Sequence, residues 1–93
     1  GIIPYAASKT ALFGMSRSLA KEYGRFGITS NVLVLGYFNV GLIKKVSKKM
    51  KKKIIEDIPS GKLGDPLNIV NAVNFLIKSD FVNGSKISID GAI

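Results

Sequence analysis

The 93-residue sequence contains no cysteine and no histidine. Lack of cysteine excludes disulfide staples, thiolate metal sites and a thiol nucleophile. Lack of histidine excludes a Ser-His-Asp triad, imidazole-ligated zinc and every imidazole acid/base mechanism. Proton chemistry must therefore fall to Tyr, Lys, Asp or Glu. Acidic residues are few as well, six against fourteen Lys and Arg, for a formal net charge of +8. There is no signal-peptide pattern and no apolar run long enough to span a bilayer, so a soluble, cytoplasmic chain is the expectation. What is present is ordinary globular material, 46% apolar and 22% charged, in a length that suits one small domain at most.

The positive charge is concentrated. Lys44, Lys45, Lys48, Lys49, Lys51, Lys52 and Lys53 fall within ten residues, which leaves about +1 for the rest of the chain. Basicity is thus a property of one segment and gives no ground for reading the whole chain as a nucleic-acid binder. Three readings of the segment stand side by side: a solvated helix face, an electrostatic landing patch for an acidic partner, and a nucleic-acid or membrane contact. The last is the weakest, because no aromatic residue is interleaved for base stacking and the flanking stripe is only modestly apolar.

Local patterning predicts the order helix, strand, helix, helix, strand. Residues 4–23 read as a helix with Pro4 in its first turn and Gly24 as its stop. Leu12, Met15, Leu19 and Tyr23 form an apolar stripe, and Ala7, Ala11, Gly14 and Ser18 a second face of small side chains, which together predict burial on both sides. Residues 28–35 read as a strand covered on both faces, ending at Gly36. Residues 37–41 read as a loop, and 43–58 as a helix with Ile43, Val46, Met50, Ile54 and Ile58 on one stripe. Asp65 and Pro66 start a helix running to about residue 79, and residues 85–90 form a last strand with Ile87 and Ile89 on one side. Strands of this character alternating with helices indicate an α/β protein with a parallel sheet. Two strands are too few to complete one.

Tyr5 and Lys9 are the candidate chemical pair. At i and i+4 they share one helical face. A phenol ordinarily ionises near pH 10, and an adjacent ammonium favours the phenolate, bringing it toward a useful acid/base range. The spacing alone is common by chance. Its surroundings are not: Pro4-Tyr5-Ala6-Ala7-Ser8-Lys9 with Ala11-Leu12 and Ser16-Arg17-Ser18-Leu19-Ala20 resembles the active-site helix of the short-chain dehydrogenase/reductase family. Gly27-Ile28-Thr29-Ser30-Asn31-Val32 resembles that family's next strand, with Leu35-Gly36 where Pro-Gly is usual. Leu63-Gly64-Asp65-Pro66 is similar to its R-x-G-x-P-type helix start. Asn83-Gly84 through Asp90-Gly91 resembles its closing strand. The likeness is collinear over essentially all 93 residues, and within the family it is most similar to the 3-oxoacyl-(acyl-carrier-protein) reductase type.

The resemblance implies a Rossmann-type doubly wound parallel sheet, of which residues 1–93 would be the C-terminal portion of a single domain. It implies an NAD(P)-dependent oxidoreductase that interconverts a carbonyl and an alcohol. Tyr5 would be its acid/base. Lys9 would assist the phenol and hold the nicotinamide ribose, and Gly36 and the backbone near Phe38 would meet the nicotinamide of NAD(H) or NADP(H). It further implies a homodimer or homotetramer, a small carbonyl or alcohol substrate that an acidic acyl carrier protein could carry, and neither nucleic-acid nor membrane binding. Three features depart from the family pattern: Leu35 replaces its proline, Val40 stands where many members have a cofactor-contacting threonine, and no G-x-G occurs anywhere. The family's catalytic serine and phosphate turn precede its tyrosine, outside these residues. A rival reading is a non-catalytic piece concerned with subunit association. Because a pyrophosphate turn at a helix N-terminus is the coenzyme's main anion site, the 93-residue polypeptide alone is expected to show no measurable NADPH binding by isothermal titration; micromolar affinity would overturn this.

Overall fold

A computed structural model describes residues 1–93. Helix α1 (Ile2–Tyr23) leads through a 3-10 turn (Gly24–Phe26) to strand β1 (Val32–Leu35). A second 3-10 turn (Gly41–Lys45) precedes α2 (Lys48–Asp57), α3 (Leu67–Lys78) and strand β2 (Lys86–Ile89). The two strands form one sheet. The Val32 N–H donates to the Ser85 carbonyl at 2.9 Å and the Gly36 N–H to the Ile89 carbonyl at 3.0 Å, so both strands advance in the same direction. A parallel pair cannot be joined by a hairpin, and the helical connection between β1 and β2 is what such pairing requires. The chain is α/β, with its elements in the expected order. No helix is long and apolar enough to cross a membrane.

The chain divides into two compact units, one of residues 1–33 and 76–87, the other of residues 34–75 and 88–93. In the first, α1 begins two residues earlier than its proline suggested, so Pro4 still lies in the first turn, where its missing N–H costs nothing. Its buried positions are Ser16 and Ala20, with Phe13 half-buried. These lie on one helical line. Ser16 Oγ meets Ser30 Oγ at 2.8 Å, and the Lys86 ammonium sits 4.6 Å from the Phe13 ring centroid. The predicted stripe of Leu12, Met15, Leu19 and Tyr23 faces solvent instead, as do Ala7, Ala11, Gly14 and Ser18. Burial on both sides is therefore not observed. Within this unit the helix packs along one narrow line, chosen by hydrogen bonding and close approach rather than by the largest apolar residues.

The strand predicted over 28–35 is realised only at Val32–Leu35. The reason is polar. Two asparagines take over the backbone groups that a longer ladder would have used. The Ser30 N–H donates to Asn83 Oδ1 at 2.8 Å, while Asn83 Nδ2 reaches the Ala20 and Ile28 carbonyls, each at 3.4 Å. Asn31 reciprocates: its Nδ2 donates to the Val82 carbonyl at 3.0 Å, and its Oδ1 accepts from the Ser85 N–H at 3.0 Å. Asn31 thus ties the start of β1 to the turn that precedes β2. Gly84 supplies the left-handed turn, φ +69°, that lets its N–H reach the Ser30 carbonyl at 2.8 Å.

In the second unit the apolar centre is formed by Phe38, Ile43 and Ile58, all buried. The helix predicted over 43–58 is broken. Val46 and Ser47 are extended, and Ser47 caps α2 by accepting the Met50 N–H at 3.2 Å. The stripe that suggested one helix is divided: Ile43 lies on the 3-10 turn, Met50 and Ile54 on α2, and Val46 and Ile58 at extended positions beside them; Ile43 and Ile58 are buried, whereas Val46 and Met50 are exposed. Asp65 caps α3 through its side chain, accepting the Leu67 N–H at 2.9 Å, with Pro66 in the turn just before the helix. Strand β2 keeps the expected alternation, Ile87 and Ile89 half-buried and Lys86 and Ser88 exposed.

Because Asn83 holds both a donor and an acceptor that the surrounding backbone needs, Asn83→Ala should lower the unfolding free energy by about 2 kcal/mol. Urea denaturation checks this, and a loss below about 0.5 kcal/mol would mean that solvent replaces the amide.

Candidate functional site

Tyr5 and Lys9 lie in the first unit, on the N-terminal half of α1. Helical periodicity brings them to one face, with the Lys9 ammonium over the Tyr5 ring at 5.4 Å from its centroid. Tyr5 is 65% exposed and Lys9 is exposed, so the pair presents a phenol and an ammonium together at the surface. The backbone beneath them is regular; Ser8 Oγ donates to the Tyr5 carbonyl at 2.8 Å and fastens the first turn. What this arrangement offers is an O–H able to give or take a proton, and a positive charge one turn away.

Gly36 and Phe38 lie in the second unit, just past the end of β1. Gly36 is required for a packing reason: a Cβ there would stand 2.7 Å from the Asp90 Cα and 2.8 Å from its Cβ. The two strands' C-terminal ends therefore close on one another without a side chain between them. Phe38 continues the pairing by an isolated parallel bridge to Gly64. The Asn39 N–H donates to the Gly64 carbonyl at 3.1 Å, and the Gly64 N–H to the Tyr37 carbonyl at 2.8 Å. In a bridge of this register the bridging residue's own N–H and C=O point away from its partner, so those of Phe38 carry no bond to Gly64. Its ring is buried against Gly64, where a Cβ would stand 2.7 Å from two ring carbons.

An open cleft of about 490 Å³ lies in the same unit, and Tyr37, Phe38, Lys62, Asn68 and Asp90 contribute to its lining. Lys62, Asn68 and Asp90 were not singled out by the sequence reading. The signal that could have found them is the coincidence of two strand ends at Gly36 and Asp90, since ligands of open parallel sheets bind beyond the carboxyl ends of the strands. Each unit on its own offers groups that can bind part of a ligand. A phenol and an ammonium can hold sugar hydroxyls, and a free backbone N–H and C=O can complement a carboxamide.

Residues 2–92 match the family model described as enoyl-(acyl carrier protein) reductase. The chain belongs to the short-chain dehydrogenase/reductase family. It is 36% identical over 91 residues to the (3R)-3-hydroxyacyl-CoA dehydrogenase of Canis lupus familiaris, covering 96% of this chain and 35% of that protein. It is 37% identical over 89 residues to the 3-oxoacyl-(acyl-carrier-protein) reductase of Bos taurus, covering 96% of this chain and 36% of that one. A solved structure from Agrobacterium tumefaciens, assigned as a 2-deoxy-D-gluconate 3-dehydrogenase and crystallised with NADP, superposes with a TM-score of 0.83. Its sequence is 31% identical, over 94% of this chain and 37% of that one. The chain thus spans about a third of the length of the relatives it matches. The α/β fold and the assignment to this family agree with what the helix of Tyr5, the 27–32 segment and the Asp90-Gly91 ending implied.

Gly64→Ala should force the buried Phe38 ring aside and cost about 1–3 kcal/mol, read as a lower denaturation midpoint. Gly64→Ala combined with Phe38→Leu should recover part of that loss. Failure of the double variant to recover would show that the clash is not with the ring.

Proposed function

We propose that this chain carries the proton-transfer residues of an NAD(P)-dependent oxidoreductase that interconverts a carbonyl and a secondary alcohol. The observation that supports it is the pairing of Tyr5 with Lys9 at 5.4 Å on an exposed helical face, in a chain of this family. In the reducing direction the Tyr5 O–H gives its proton to the substrate oxygen as that oxygen gains charge, and in the oxidising direction the phenolate takes it back. Lys9 places positive charge beside the phenol and offers N–H donors to the ribose hydroxyls of the coenzyme. The Phe38 N–H and C=O complement the carboxamide, and Gly36 permits the close strand-end packing that fixes their position. NAD(P)H, when bound, supplies the hydride, and the protein's share is orientation and the proton.

The substrate we favour is a 3-oxoacyl thioester, reduced to the 3-hydroxyacyl form. Two relatives at 36% and 37% identity are named for the two directions of that conversion, one on coenzyme A and one on an acyl carrier protein. A second reading, subunit association, is supported by exposed apolar residues on two helices: Leu12, Met15 and Leu19 on α1, and Val70, Val73 and Phe75 on α3. The two readings are compatible in an enzyme that works as a homodimer or homotetramer.

In the full-length protein, Tyr5→Phe should reduce kcat for acetoacetyl-CoA by about 10²-fold or more while leaving NADPH affinity within about threefold. Near-normal kcat would assign the proton to another residue. Lys9→Met should raise the apparent Kd for NADPH as well as lower kcat, which separates its role from that of the phenol.

A further inference from the structure

The charges of α2 are arranged against the helix that bears them. A helix N-terminus carries partial positive charge and its C-terminus partial negative charge, so acids favour the first turn and bases the last. In α2 Lys48 and Lys49 open the helix and Glu56 and Asp57 close it, with no acidic residue in the first turn and no basic residue in the last. Like charges also repeat one turn apart, at Lys48 and Lys52 and at Lys49 and Lys53, a spacing that destabilises an isolated helix. Neither feature helps α2 to fold. Both concentrate a positive field on its first two turns.

The apolar side of the helix is already used. Ile54 and Ile55 are half-buried, as is Lys51, whereas Lys48, Lys49, Lys52 and Lys53 are exposed. The exposed side of α2 thus sets four lysines against one apolar residue, Met50, which is too little apolar surface for insertion into a bilayer. Lysine, unlike arginine, lacks the planar fork that matches phosphate oxygens in pairs, and the segment has no aromatic side chain for stacking on bases. The field is also bounded. Glu56 and Asp57 would repel a continuous polyanion laid along the helix, whereas a compact acidic surface about two turns long would stop short of them.

We propose that the outward face of α2, formed by Lys48, Lys49, Lys52 and Lys53, is a docking surface for a compact acidic protein, the carrier that delivers the thioester substrate. This rests on the carrier-linked reading of the substrate given above. A shallow groove runs along this face past Ser47, Lys49, Met50, Lys52 and Lys53 to Glu56, so acidic side chains can seat at its lysine-lined part while Glu56 marks where they must stop. Carboxylates bound there would relieve the repulsion among the lysines and complement the positive end of the helix, so partner binding would stabilise α2.

The test uses the full-length protein and its variant K49E/K52E/K53E, whose substitutions lie outside the Tyr5–Lys9 pair and the Phe38 bridge. The probe is a purified acyl carrier protein bearing an acetoacetyl thioester, with acetoacetyl-CoA as the small comparator. Steady-state kinetics should show KM for the carrier-linked substrate rising about tenfold or more in the variant, with kcat/KM for acetoacetyl-CoA unchanged, and a steep salt dependence of the first KM in the parent only. Equal KM values for the carrier-linked substrate in both proteins overturn the docking surface. If neither protein turns over either substrate, the oxidoreductase reading fails, and fluorescence anisotropy with labelled carrier protein still decides the surface: salt-sensitive binding lost in the variant supports it, and no difference overturns it. Tighter anisotropy-detected binding to a duplex DNA oligonucleotide, or to phosphatidylglycerol vesicles by co-sedimentation, than to the carrier also overturns it.

Discussion

Reciprocal amide bonding by Asn31 and Asn83 is the constraint on which the first unit is built. Each side chain supplies both a donor and an acceptor to backbone that the β1–β2 ladder does not reach. A buried or half-buried peptide group without a partner is costly, so these two residues decide where the ladder starts and how α1 ends against it. The Ser16–Ser30 contact and the close fit of Gly84 to Ala20 belong to the same arrangement. Polar complementarity, more than apolar bulk, selects the narrow packed line of α1.

The second unit is organised by a different constraint, the absence of side chains at Gly36 and Gly64. One lets strand ends approach at Asp90 and the other receives the Phe38 ring. The backbone that the family resemblance links to the nicotinamide is thereby held by packing and not by a hydrogen-bonded loop alone. Preorganised backbone donors and acceptors of this kind cost nothing to reorient when a ligand arrives.

Much of the architecture was legible in the sequence because its signals were local. Pro4 and Gly24 bracket α1, Asp65-Pro66 marks the start of α3, and the Ile87–Ile89 alternation marks β2. What was not legible depended on partners distant in the chain. Ile28 to Asn31 have strand-like composition, yet residues more than fifty positions away claim their backbone groups. The stripe from Ile43 to Ile58 suggested one helix because periodicity does not register a single extended Val46-Ser47 step. The apolar stripe of α1 is exposed, against expectation, because a row of Leu and Met records what can be buried, not what a given unit buries. The Tyr5–Lys9 pairing was fixed by helical spacing and so could be read directly, whereas Lys62, Asn68 and Asp90 meet around one cleft only through the fold.

The parallel pairing of β1 with β2 also has a temporal side. Ser30 and its partner Asn83 are separated by 53 residues, so when β1 leaves the ribosome its mate has yet to be made. At the usual pace of translation that interval is about 3–10 s. Throughout it, the edge of β1 that β2 will cover is open to any other extended segment. The brevity of β1, four residues, limits how well a wrong strand can zip onto it in the meantime.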